Sequence, residues 1–138
     1  MAETAGYSGT PLVKKLGIKP GFQISLINEP EDYLSLLTGL PQGVKIHKNL
    51  NYADLDMVHL FVNSRGLYDH LLNQAKRAIK KSGTIWVSWP KKASAVPTDL
   101  TENIIRDTAL EMGMVDVKVC AIDAVWSGLK LVYRLKDR

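Results

Sequence analysis

Basic, hydroxyl and indole side chains fall just past the ends of several predicted strands, and together they could hold a phosphate or carboxylate beside a planar ring. Asn28 and Glu29 follow one apolar run, and Asn63, Ser64 and Arg65 follow a second. Trp89, Lys91, Lys92 and Ser94 close a third, while Asp123, Trp126 and Ser127 sit in the short link between two more. From these, Asn28, Arg65, Trp89, Lys91, Lys92, Ser94, Trp126 and Ser127 are the candidate ligand-binding residues. In an open parallel sheet, ligands lie beyond the carboxyl ends of the strands, and that edge is where all eight are expected. Each also has a plainer reading. Lys91 and Lys92 suit a solvated loop, Arg65 has a competing partner in Asp69 one helical turn along, and Trp126 suits a cover for the hairpin end of the core. Trp86 and Trp89 differ by three, so on a strand they face opposite ways and at least one belongs to the core.

Other chemistries find less support. His47, His59 and His70 have no mutual spacing of metal-ligand type, and Cys120 in Val-Lys-Val-Cys-Ala has no neighbour in sequence that would activate a thiol. There is no paired-carboxylate motif, phosphate-cradling glycine loop or nucleophile elbow. No metal is expected, and these patterns imply no cofactor.

The elements that position the candidates are legible in the apolar periodicity. Pro11 to Gly17 is a short helix, with proline suited to its start and glycine to its end. Phe22–Ile27 is a strand, 31–37 a short helix with Tyr33, Leu34 and Leu37 inward, and 44–47 a short strand. Leu55–Val62 is a strand, and 67–81 a helix whose stripe runs through Leu67, Leu71, Leu72, Ala75, Ala78 and Ile79. Lys76, Arg77, Lys80 and Lys81 then offset the dipole in its last turns, and Gly83 ends it. The strand 83–89 (Gly-Thr-Ile-Trp-Val-Ser-Trp) is the centre of the domain. Asp99 and Glu102 fit a capping box for a helix to Met112. Residues 115–122 and 129–135 are strands joined by a link short enough to demand an antiparallel hairpin.

The 138 residues suit one domain with its own core, and 46% hydrophobic with 23% charged residues is the balance of a soluble globular protein. A single cysteine points to a reducing compartment, and Met1–Tyr7 carries Glu3 and no apolar core, so no secretory leader is expected there. No apolar run approaches the roughly 20 residues of a membrane-spanning helix. A cytoplasmic protein with a loose lead-in over residues 1–10 is the expectation. The net charge of +4 is modest and no aromatics are interleaved on a basic surface, so nucleic acid ranks last among partners.

Strand, helix, strand, helix and hairpin in this order resemble the C-terminal half of the Rossmann-like S-adenosylmethionine-dependent methyltransferases. Residues 55–62 look like their fourth strand, 83–89 like their fifth, and Leu16-Gly-Ile-Lys-Pro-Gly-Phe-Gln-Ile24 like the turn before their first. That resemblance implies an α/β, Rossmann-like three-layer sandwich with a mainly parallel six-stranded sheet, a C-terminal antiparallel hairpin and helices on both faces. It also implies a glycine-rich cofactor loop after the first strand and an acid ending the second. This chain has Asn28-Glu29-Pro30-Glu31-Asp32 and Ile46-His47-Lys48 there instead. Tyr7-Ser-Gly-Thr-Pro-Leu12, Ile85-Trp-Val-Ser-Trp-Pro-Lys-Lys92 and Trp126-Ser-Gly-Leu-Lys-Leu131 further resemble a family of small bacterial single-domain proteins known only as a domain of unknown function. The expectation is a non-catalytic binding or regulatory module for an anionic small molecule or acidic protein partner. The alternative is a divergent transferase with an atypical cofactor site.

Overall fold

The computed structural model describes residues 10–138, so the expected lead-in, Thr10 apart, lies outside the described residues. The chain runs α1 (Leu12–Leu16), β1 (Gln23–Ile27), α2 (Tyr33–Leu36), β2 (Lys45–His47), β3 (Leu55–Phe61), α3 (Arg65–Ala78), β4 (Ile79–Pro90), α4 (Glu102–Glu111), β5 (Met114–Ala121) and β6 (Trp126–Tyr133). The sheet order is β2-β1-β3-β4-β6-β5; the first four strands are parallel, and β6 is antiparallel to both its neighbours. This is a mixed, Rossmann-like α/β sheet, mainly parallel with an antiparallel C-terminal hairpin.

Alternation along the strands splits the core in two. Val58, Leu60, Ile85, Val87 and Trp89 meet Tyr68, Leu72 and Ala75 of α3 and Ile105 of α4 on one face. Met57, Phe61 and Trp86 meet Leu12, Val13 and Leu16 of α1 and Tyr33 of α2 on the other. Trp86 also anchors α1, because its buried indole Nε1–H donates to Leu16 O at 3.1 Å. Gly128 lies under that indole, where a Cβ would come within 3.2 Å of Trp86 Cε3.

Several local expectations are corrected. The helix predicted to Lys81 stops at Ala78, and Ile79–Ser82 already belong to β4. Lys80 therefore reaches Asp56 at 2.8 Å, and Lys81 stands 4.4 Å from the centre of the Tyr133 ring, rather than both serving a helix end. Gly83 does not end the helix; it is a close-approach residue, whose Cβ would meet Leu55 O and Lys80 O at 3.0 Å. The capping box on Asp99 also fails: Thr101 caps α4 by accepting from Ile104 N at 3.2 Å, while Asp99 accepts the Arg65 amide of α3. The last strand ends at Tyr133, leaving Leu135 80% exposed in a 3-10 turn, and Leu34 of α2 points outward.

Candidate ligand site at the carboxyl edge

The strand order reverses at β1, which pairs with β2 on one side and β3 on the other, and such a switch point is where open α/β sheets place ligands. Ile27 stands level with Leu60, Phe61 with Ser88, and Pro90 with Trp126, so Asn28, Arg65, Lys91 and Trp126 follow one another along the carboxyl edge. Three strand intervals separate Asn28 from Trp126, about 14 Å at the usual spacing.

Within that row the structure gathers one tight group. Lys91 N–H donates to Val125 O at 2.7 Å, tying the end of β4 to the hairpin link. Ser94 Oγ donates to Lys91 O at 2.6 Å, and Ser127 stands opposite Trp89 across the ladder. Asp123 Oδ1 accepts the amides of Val125 and Trp126, both at 2.8 Å, and so fixes the turn that presents Trp126. Lys92 is exposed on the 3-10 turn that Ser94 closes. Arg65 is brought near by its backbone: its N–H donates to Asp99 Oδ1 at 2.9 Å, while Thr98 Oγ1 donates to Asn63 O at 2.8 Å. These two bonds lay the loop after β4 against the start of α3. The Arg65 side chain is exposed and forms no ion pair with Asp69.

Two candidates stand outside the group. Trp89 is 6% exposed and packs among the residues facing α3 and α4, so it offers a ligand little surface. Asn28 is isolated at the end of β1, with φ at +61°, a conformation that favours glycine. Trp126 is half-buried and meets Phe61 edge-on at 5.2 Å, covering the end of the core while its rim stays at the edge.

Beneath this edge runs a polar line that no strand end announces. His59 of β3 is fully buried between Tyr33 Oη, 2.7 Å from Nδ1, and Ser88 Oγ, 2.7 Å from Nε2. Desolvation lowers the His59 pKa to about 3 and pushes the Tyr33 phenol far above its ordinary range. The imidazole is thus neutral, and whichever nitrogen carries the proton, one hydroxyl donates to the ring and the other accepts. Serine, histidine and a third group in a row have the form of a nucleophile with its base. Here all three side chains are fully buried in the core, so the line is a satisfied polar network and no substrate reaches it. A histidine and a serine inside otherwise apolar strands were the signal for it. A groove of about 750 Å³ between α3 and residues 49–53, lined in part by Ile27, Tyr52, Gln74 and Arg77, had no such signal.

The fold aligns with solved methyltransferases over most of their length. A S-adenosylmethionine-dependent methyltransferase from Aquifex aeolicus matches with a TM-score of 0.63 at 12% identity, covering 87% of this chain and 86% of that one. A TehB-like S-adenosylmethionine-dependent methyltransferase from Corynebacterium glutamicum matches at 0.57 and 9% identity, covering 94% and 91%. The Bacillus subtilis M1A22 tRNA methyltransferase TrmK matches at 0.54 and 11%, covering 91% of this chain and 66% of the other. At such identities the likeness shows the fold alone. No family model matches the chain, and no curated protein does.

The residues present do not fit S-adenosylmethionine in the manner the resemblance implies. The loop after β1 has no glycine, and the Glu29 carboxylate is paired with Lys48, which ties that loop to the residue just past β2. The second strand ends in His47, held by Gln23 Oε1 at 3.2 Å and Tyr52 Oη at 3.0 Å, and not in an acid. Among the described residues no group of three or more His, Cys, Asp or Glu is placed to hold a metal ion, and no helix is long and apolar enough to cross a membrane.

Proposed function

We propose that the protein binds a small molecule at the carboxyl edge of its sheet and acts there as a divergent transferase. The supporting observation is the likeness, over 86% and 91% of their chains, to proteins whose names are those of methyltransferases and not of passive binding modules. Because the loop after β1 departs from the family pattern, ligand contacts fall to side chains at the ends of β3, β4 and β6: Arg65, Lys91, Lys92, Ser94, Trp126 and Ser127. Asn28 marks the far limit of the same edge. No catalytic residue is assigned.

The test is an amide chemical-shift titration of labelled protein with S-adenosylmethionine and S-adenosylhomocysteine, followed by a methyl-transfer assay. Saturable shifts at Arg65, Lys91 and Trp126, weakened roughly tenfold or more by Arg65→Glu or Lys91→Glu, are expected. No saturable binding of either compound would remove the transferase reading.

A second reading is favoured by the closed, glycine-free loop after β1: a non-catalytic site at the same edge for an anionic small molecule or acidic partner. It predicts that anions bind and are weakened by the same two substitutions, while S-adenosylmethionine leaves the spectrum unchanged.

A further inference from the structure

On the face that carries α1, Lys130 of β6 has Lys118 and Lys19 as charged neighbours. The ladder between β5 and β6 slips between Asp116 and Lys118. Before the slip Asp116 faces α4, where its carboxylate accepts from Arg106 Nε at 3.0 Å. After it, Lys118 turns to the other face, with Nζ 5.9 Å from the centre of the Trp86 ring. There it stands directly across the ladder from Lys130, which is itself opposite Trp86. Lys130 and Lys19 line a recess of about 260 Å³ beside Ser82, Thr84, Phe22 and Asp56.

Asp56 does not neutralise them. Its carboxylate is shared between Lys80 Nζ and the Gln23 amide, each at 2.8 Å. Among the described residues Lys19, Lys118 and Lys130 have no ion pair, and neither the Ser82 nor the Thr84 hydroxyl is committed to a hydrogen bond. Like charges directly opposite on a ladder repel, and a partly buried ammonium without a partner is costly. Burial, and then Lys118 and Lys19, hold the Lys130 pKa below its ordinary value. The fold keeps an arrangement that a bound anion would relieve.

We infer that this recess binds a phosphoryl group, with Lys19 and Lys130 of its lining supplying charge, Lys118 adding to it from across the ladder, and Ser82 and Thr84 supplying hydroxyl donors. A dianion with three or more acceptor oxygens matches three ammonium groups and two hydroxyls better than a carboxylate does. The site lies at the amino ends of β3 and β4, away from the carboxyl edge, and is independent of the function proposed there.

The test titrates inorganic phosphate and phenyl phosphate into labelled protein at constant ionic strength, with chloride as the control anion. Saturable amide shifts at Lys19, Thr84 and Lys130 are expected, with affinity falling tenfold or more in Lys118→Met and in Lys130→Met, about 1.4 kcal/mol or more. Tighter binding of phenyl phosphate assigns the recess to phosphate monoesters, and equal binding assigns it to free phosphate. Without phosphate, Lys118→Met should melt higher than the parent because the cross-strand repulsion is gone, a readout that does not depend on finding the natural ligand. The inference is overturned if phosphate acts no differently from chloride, or if both variants bind it as tightly as the parent.

Discussion

Replacing His59 by leucine should change how stability depends on pH, and the size of the change follows from the buried network. With its pKa near 3 in the folded protein against an ordinary value of about 6.5, His59 is a group that the unfolded chain protonates and the folded chain keeps neutral. Its neutrality therefore contributes stability that is fully present above the unfolded pKa and is lost as pH falls from there towards 3. Within that window each pH unit removes about 1.4 kcal/mol, so the drop from about pH 7 to about pH 4.5 is about 3 kcal/mol from this residue. That is a large share of the 5–15 kcal/mol typical of a domain.

The leucine variant also leaves Tyr33 Oη and Ser88 Oγ buried without the ring that served both, at a cost of ~2–5 kcal/mol near pH 7. Urea unfolding of both proteins at the two pH values separates the effects. The parent should lose about 3 kcal/mol more than the variant on acidification, with carboxylate contributions cancelling in the comparison. Should the variant be too unstable to measure, Tyr33→Phe keeps the imidazole, loses ~1–3 kcal/mol near pH 7 and retains the steep acid slope. Equal acid losses in the parent and the leucine variant, or a His59 ring that titrates near its ordinary value by NMR, would refute the reasoning.

Asp99→Ala should destabilise by ~1 kcal/mol and speed amide exchange in the first turn of α3, whereas Thr101→Ala should do the same to α4. Trp86→Phe removes the bond to Leu16 O and leaves a gap under α1; a loss of ~1–3 kcal/mol in urea unfolding, with earlier proteolysis near residues 12–16, is expected. Burial pushes the Cys120 thiol up, with Lys15 and Lys118 pulling the other way by less, so iodoacetamide near pH 8 should alkylate it more slowly than free cysteine; Lys118→Met should slow it further.

The order of elements was legible because each long segment repeats one period. The stripe through Leu71, Leu72, Ala75 and Ala78 admits only a helix, and the short link after Ala121 forces a hairpin. What escaped was decided by partners far away in the chain. Ile79–Ser82 carry the two lysines of a plausible helix end, yet Ile79 pairs with Leu55 of β3, and Gly83 lets the backbones close up. Asp99 has the spacing of a local cap, but its carboxylate is used by an amide 34 residues earlier in the chain. The same limit applies to the sites. Strand ends predicted a common edge for Asn28, Arg65, Trp89, Lys91, Lys92, Ser94, Trp126 and Ser127; the chain passes along that edge at these positions, but Trp89 turns into the core. Both tryptophans of 83–89 proved to be core, one on each face. Lys118 faces Lys130 only because the ladder slips by a residue, which a strict alternation cannot foresee.

The loop after β1 and the network beneath it form one arrangement. Asn28 keeps the positive φ that a glycine would take, Glu29 is held by Lys48, and α2 begins only at Tyr33 and lasts four residues. So short a helix offers no row of free amides to a ligand, and its first side chain turns into the core, where its hydroxyl serves His59. The buried histidine thus holds the first residue of α2, at the end of the glycine-free segment that follows β1. On the function proposed above, a ligand at this edge is met by guanidinium, ammonium and hydroxyl groups from the ends of β3, β4 and β6, and not by backbone amides after β1. Recognition of that kind selects for charge and for a planar face more than for a fixed backbone outline.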